Sequence, residues 1–515
     1  MKRKTSFSFT FRSFFRKFAA INIVHSYAGL MIKGIKINDK LRLRFPFTLS
    51  LKLKLRLLYM KKQIIVILVL LFSVVGARAQ GDVYERSKVY EWPTDKQVVD
   101  KLKAWQDLKF GVLMHWGIYS VPGIVESWSI VDEDWITRDT TQTFQQYQDW
   151  YFGLADKFNP TKFNPAQWAD VMQKAGMKYM IFTTKHHDGF CMFDSRYSDF
   201  TIAKHAFRDN PKRDVLKYVL DAFRQKDFMI GTYFSKPDWH SQYYWWDVYP
   251  KKGRNVNYPI NKHAWRWQQF KQYTYNQMEE ILSRYGSVDI LWMDGGWVCK
   301  ENNQDIDMPR IAQMARKNQP GLIMVDRTIH GPYENYQTPE RTIPETQLDY
   351  PWESCIPLSD DWGWVARPRW KSPQKVVNTL IEIVAKGGNL VLGVGPTPEG
   401  LIQPEAVERL EKIGEWMKLN GKAIYNTKTT KKYNDGNIWF TQSKDGKTTY
   451  AIFMLKEGEK MPKTISWSGN LPKKGSAIRI VANGKKLSYK MKNGNVVVTL
   501  PNNIPTSSFA CEFVN

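Results

Sequence analysis

The 515-residue chain is predicted to be an α/β protein: a (β/α)8, TIM-type barrel over residues 80–425, followed by an antiparallel β-sandwich over 426–515. Three observations predict it. Strand-like and helix-like segments alternate from about Tyr84 to Tyr425, the order that builds a parallel sheet. Polar, chemistry-bearing residues follow successive strands, as they do on the carboxyl face of a barrel. Beyond Thr427 the helical period gives way to short alternating segments separated by Asn-Gly and Asp-Gly turns. An open doubly wound sheet is the competing architecture, and the lack of a glycine-rich phosphate loop weighs against it.

The amino terminus is set apart by its charge. Residues 1–79 hold 17 Lys/Arg against Asp39 alone, so most of the net charge of +25 lies there. The rest of the chain carries ordinary surface charge rather than the footprint of a nucleic-acid binder. Met60, Lys61 and Lys62 precede an apolar run at 64–72 and then Ala77, Arg78 and Ala79. A basic n-region, a short h-region and an A-x-A site predict a secretory signal over 60–79, cleaved after Ala79. The run is too short to span a bilayer comfortably, and no cysteine follows the cleavage site to take a lipid. The expected location is secreted or periplasmic, without a stable membrane anchor. Residues 1–59, standing before a signal, read as an upstream extension from a start assigned too early. Cys191, Cys299, Cys355 and Cys511 leave room for one or two disulfides but show no disulfide framework and no CxxC.

Taken in order, residues 110–115 predict the first strand. Residues 165–175 predict an amphipathic helix, capped by Asn164 and stopped by Gly176. Strands at 179–184, 228–234, 288–294, 322–326 and 390–394 then alternate with helices at 214–225, 263–285, 308–317 and 376–386, and a helix at 405–419 closes the series. The stretch 326–364 reads as a long loop. In the sandwich, strands are expected near 438–441, 449–454, 464–467, 477–481, 496–500 and 509–513.

The strand ending at Asp294 carries the sharpest chemical signal. Val288, Ile290, Leu291 and Met293 are apolar, and a carboxylate at the end of so buried a strand needs a hydrogen-bond network or a task. Gly295 and Gly296 let the chain turn and a ligand approach. Twenty-one tryptophans, many near strand ends, suit the apolar C–H faces of sugars. His186 and His187 are adjacent and point apart, so they do not read as a chelating pair; no metal or other cofactor is expected. Glycoside hydrolysis needs a second carboxyl group beside Asp294. The 326–364 loop offers Glu334, Glu340, Glu345 and Glu353. Glu353 is preferred, because Trp352 beside it would desolvate it and raise its pKa as an acid requires; Glu340 is the alternative.

These motifs resemble, in order and spacing, the α-L-fucosidases of glycoside hydrolase family 29. They are His-Trp-Gly at 115–117, Lys-His-His-Asp-Gly-Phe at 185–190, Leu-Trp-Met-Asp-Gly at 291–295, Val-Asp-Arg at 325–327, Trp-Glu-Ser-Cys at 352–355 and Lys-Gly-Gly-Asn-Leu at 386–390 with Gly395-Pro396. The resemblance runs from about Lys101 to Tyr425. It implies a retaining mechanism, with Asp294 as nucleophile and fucose held by His115, His186, His187, Tyr233, Trp292 and Arg327. Glu126 and Trp128 are implied less directly, because Ser127 separates them. Members of the family differ in where the acid/base lies, matching either Glu340 or Glu353 here. The implied partner is a fucosylated oligosaccharide or glycoconjugate, with a lean toward α-1,3/1,4 linkages. The competing functions are a catalytically inactive sugar-binding protein on the same scaffold and a metal-dependent hydrolase using the histidines. Oligomeric state is not legible.

Overall fold

The computed structural model describes residues 90–139 and 141–515. The predicted signal at 60–79 and the extension at 1–59 lie outside them.

Helix α1 (Lys96–Leu108) opens the described chain. Asp95 caps it by accepting from the Gln97 amide, and Val98, Leu102 and Trp105 form its buried stripe. Seven parallel strands follow: β1 (Phe110–Met114), β2 (Tyr179–Lys185), β3 (Met229–Ser235), β4 (Ile290–Asp294), β5 (Ile323–Asp326), β6 (Glu353–Pro357) and β7 (Asn389–Gly393). All but the first residue of β3 are buried, because helices cover one face and the barrel interior the other. The helices are α2 (Phe144–Phe152), α3 (Pro165–Lys174), α4 (Val215–Arg224), α5 (Ala264–Arg284), α6 (Met308–Asn318), α7 (Pro373–Ala385) and α8 (Pro404–Asn420). Asn164 caps α3 as expected, and Gly176 sits at φ +87° just past its end.

Hydrogen bonds run in the order β5-β4-β3-β2-β1-β7-β6. Residues 334–341 stand between β5 and β6 in place of a regular eighth strand. The Asn335 amide donates to the Met324 carbonyl at 2.8 Å, and the Glu353 amide donates to the Gln337 carbonyl at 2.8 Å. The Arg341 amide donates to the Cys355 carbonyl at 2.9 Å, and Glu340 pairs in parallel with Cys355. Pro339 has no amide to give, which keeps this rung from becoming a regular strand. No helix lies between β5 and β6 among the described residues. The expectation of a continuous loop over 326–364 is corrected here: β6 starts at Glu353.

The carboxyl-terminal part is an eight-stranded antiparallel sheet, ordered β11-β14-β13-β12-β15-β10-β9-β8. Its strands are β8 (Thr427–Asp435), β9 (Ile438–Ser443), β10 (Thr448–Phe453), β11 (Thr464–Trp467), β12 (Ile478–Ile480), β13 (Lys486–Lys492), β14 (Asn495–Thr499) and β15 (Phe509–Val514). The sheet folds over, so that Phe440 and Phe453 share a core with Trp467, Val496 and Val498. Strand β10 divides its side chains with a period of two: Ala451 and Phe453 face that core, while Tyr450 and Ile452 join the barrel's outer core. All four cysteines are free thiols, so the disulfides the sequence left room for are not formed.

Candidate active site

The carboxyl ends of β1 to β5 bring the predicted residues together. Asp294 ends β4 and is 8 % exposed. Its Oδ1 accepts from Arg327 Nη1 at 2.7 Å and from the Gly295 amide at 2.8 Å, and its Oδ2 accepts from the Tyr233 hydroxyl at 2.7 Å. Gly295 takes φ +88° to make that turn, a conformation that costs glycine little. Burial alone would raise the Asp294 pKa. The Arg327 charge and the hydrogen bonds from Tyr233 and the Gly295 amide overrule it and hold the carboxyl well below the usual carboxylate range. Asp294 is therefore an anion with one oxygen, Oδ2, carrying a single strong donor.

Arg327 is the pivot of the site. Its guanidinium lies over the Trp292 ring, 4.3 Å from the centroid, and its Nε donates to Thr338 Oγ1 at 3.0 Å. While Nη1 holds Asp294, Nη2 donates to Glu340 Oε2 at 3.0 Å. Glu340 Oε1 accepts from Trp362 Nε1 at 3.1 Å, and its side chain is 24 % exposed. One guanidinium thus spans Asp294 and Glu340 on the same open face.

The histidines form one wall. His187 Nδ1 lies 2.8 Å from Ser235 Oγ, whose own proton goes to the Pro237 carbonyl at 2.6 Å. Nδ1 must then be the protonated nitrogen, which leaves Nε2, 3.7 Å from Asp294 Oδ2, as an acceptor. His186 Nδ1 is 2.5 Å from Ser127 Oγ, and its ring stacks on Tyr233 with centroids 5.6 Å apart. His115 lies against His186, Tyr233 and Trp362, and its Nδ1 is buried without a protein partner. Burial lowers the pKa of all three, with His186 pushed down to about 4, so they are neutral at pH 7 and fit uncharged hydroxyls. Glu126 accepts from the Gly363 amide at 2.7 Å, and burial pushes its carboxyl up to about 7. Trp128 packs its edge against His187, with centroids 5.1 Å apart.

Glu353 is not brought to this face. It is the first residue of β6, wholly buried inside the barrel. Its Oε2 accepts from the Tyr179 hydroxyl at 2.7 Å, and its Oε1 accepts from Trp292 Nε1 at 3.3 Å. Gly111 makes room for Tyr179: a Cβ there would meet the ring at 2.5 Å. Burial pushes Glu353 up to about 7, and its side chain is closed off inside the barrel. Two residues farther along β6, Cys355 pairs with Glu340, so the two glutamates are separated by about 7 Å along the strand direction. Of the other loop candidates, Glu334 closes the 328–334 turn on the Thr328 amide and His330, and Glu345 is exposed. Among the described residues no group of three His, Cys, Asp or Glu is placed to hold a metal ion.

Ser127 and Thr338 were not identified from the sequence as site residues, whereas Ser235 stood out only as a polar residue at a strand end and Trp362 only as one of the tryptophans near strand ends. Each orients a predicted residue: His186, Arg327, His187 and Glu340 respectively.

A sequence model of the alpha-L-fucosidase family matches residues 78–422. The tissue alpha-L-fucosidase of Homo sapiens is 30% identical over 414 residues, covering 76% of this chain and 83% of that protein. Among solved structures, alpha-L-fucosidase isoenzyme 1 from Paenibacillus thiaminolyticus is similar at 25% identity and a TM-score of 0.68, covering 82% of this chain and 100% of that one. The Thermotoga maritima alpha-fucosidase, solved in complex with fucose, is 28% identical with a TM-score of 0.65, covering 83% of this chain and 100% of that one.

Proposed function

Since this chain belongs to the alpha-L-fucosidase family of glycoside hydrolases, we propose that it releases terminal α-L-fucose from glycans by a retaining mechanism, with Asp294 as nucleophile and Glu340 as acid/base. The observation that carries the pairing is the Arg327 guanidinium, bonded to both carboxylates at 2.7 and 3.0 Å. It favours Glu340 over the Glu353 preferred from sequence, because an acid/base must reach the glycosidic oxygen and then water.

In the first step Glu340 gives its proton to the glycosidic oxygen as the bond to the anomeric carbon breaks. Asp294 Oδ2 forms a glycosyl ester with that carbon. In the second step Glu340 takes a proton from water, water attacks the same carbon, and the ester bond to Asp294 breaks. Tyr233 and Arg327 hold the nucleophile, and the neutral histidines with Glu126 bond the sugar hydroxyls. Trp292 and Trp128 offer apolar surface, the one beneath Arg327 and the other beside His187. Export through the segment at 60–79 and a lean toward α-1,3/1,4-linked fucose are part of the same proposal. The domains are proposed at 80–425 and 426–515.

Azide tests the roles directly. With an activated aryl fucoside, Asp294→Ala should form fucosyl azide of inverted configuration and Glu340→Ala fucosyl azide of retained configuration. Retained product from Glu353→Ala, with none from Glu340→Ala, would reverse the assignment. An Asp294→Ala variant as active as the wild type would remove the whole scheme.

A further inference from the structure

Trp135 is 52% exposed, and two features set it apart from other exposed aromatics. The first is continuity with the site. His187 lies 3.7 Å from Asp294 Oδ2, the Trp128 ring is 5.1 Å from His187, and the Trp135 ring is 5.6 Å from Trp128. An aromatic strip therefore runs from the reacting carboxylate to the surface, and Trp135 is its outer end. Trp265, 58% exposed, has its ring contact with Arg266 and belongs to no such strip; single exposed aromatics of that kind are ordinary.

The second feature is how the turn bearing Trp135 is held. The Ile136 amide donates to the Glu133 carbonyl at 3.0 Å, and the Asp132 amide donates to the Lys252 carbonyl at 2.7 Å. The Glu133 carboxylate takes both Nε and Nη2 of Arg254, at 2.8 and 2.7 Å. The same guanidinium lies 5.0 Å from the Trp128 ring centroid and 5.2 Å from that of Trp297. A bidentate ion pair and a backbone bond thus tie the 132–136 turn to the loop after β3. Trp135 is presented on a fixed support, with charged groups of Glu133 and Arg254 beside it.

We infer that Trp135 is the stacking platform of an aglycone subsite, where it takes the apolar face of the neutral pyranose to which fucose is attached. Its ring stands one aromatic ring outside Trp128, at the outer end of the strip that begins beside the reacting carboxylate. Glu133 and Arg254 supply the polar edge for that sugar's hydroxyls. The inference rests on the proposed fucosidase reading and adds the part of the substrate that a fucose pocket does not see.

The test compares two substrates in wild type, Trp135→Ala and Trp135→Phe. α-L-Fucosyl fluoride has no aglycone sugar, whereas a fucosylated trisaccharide has two. For Trp135→Ala, kcat/KM on the trisaccharide should fall about tenfold relative to that on the fluoride, mostly through KM, and Trp135→Phe should recover most of the loss. A ratio within twofold of wild type overturns the inference, as does an equal loss on both substrates, which would mean that Trp135 only holds the turn. If the wild type hydrolyses neither substrate, the catalytic proposal fails on its own. The subsite is then decided by titrating the free disaccharide and following tryptophan fluorescence: saturable quenching lost in Trp135→Ala supports it, and the same curve in both proteins rejects it.

Discussion

Glu340 and Glu353 flank the same seam of the barrel and have opposite surroundings. Glu340 leans over the open face, held by Arg327 and Trp362 and partly exposed. Glu353 lies two rungs below, sealed between Tyr179 and Trp292. The comparison teaches that desolvation alone does not identify a general acid. A carboxyl can be pushed up to about 7 by burial and still lie wholly inside the barrel. Exposure on the open face separates the two glutamates.

The sharpest break between the open face and the interior comes from Asp294. Asp294→Ala should lower kcat/KM on aryl α-L-fucosides by about 10⁵-fold with the fold intact, as checked by steady-state kinetics and circular dichroism. Glu340→Ala should cost about 10³-fold on oligosaccharides but far less on α-L-fucosyl fluoride, whose leaving group needs little protonation. If Glu353→Ala shows that leaving-group dependence and Glu340→Ala does not, the contrast between the two residues is wrong.

Stability should respond the other way round. Glu353→Ala leaves the Tyr179 hydroxyl and Trp292 indole without an acceptor inside the barrel and opens a cavity. We expect a loss of about 3–5 kcal/mol in denaturant unfolding, against less than about 1 kcal/mol for Glu340→Ala.

The smallest effect expected is on the pH profile of stability. Glu353 has its folded pKa raised to about 7 by burial, above the usual value of 4.5. Between those values the native state holds the proton more tightly than the unfolded chain does. The favourable contribution is complete below about pH 4.5 and is lost as pH rises through 7. Glu353→Gln should flatten that part of the stability curve by roughly 3 kcal/mol. Glu126, also raised to about 7, contributes in the same direction and is unchanged in the variant. An unchanged slope in Glu353→Gln would show that Glu353 is ionised in the native barrel.

Much of this protein was legible in one dimension. The helices at 165–174, 264–284 and 404–420 follow from apolar periodicity, the first also from its Asn164 cap, and Asp294 stood out because a carboxylate ends a buried apolar run. Helix α1 was missed, since its long polar face hides the stripe of Val98, Leu102 and Trp105. Strands β8 and β13 were missed because lysine and threonine outnumber apolar residues in segments that show one face to water. Strand β6 was taken for loop because Pro351 and Pro357 bracket it, although proline is tolerated at strand ends.

The sequence by itself determined the alternation of strands and helices, the two-part architecture and the residue types at the strand ends. Those depend on local periodicity and on order along the chain. Only the tertiary structure placed Glu340 on the same arginine as Asp294 and Glu353 inside the barrel. That placement depends on the register of residues 337–341 against β6 and on one arginine reaching two segments, and both are contacts between residues far apart in sequence. A residue's neighbours along the chain report its propensity for burial; its neighbours across the barrel decide whether that burial faces a substrate.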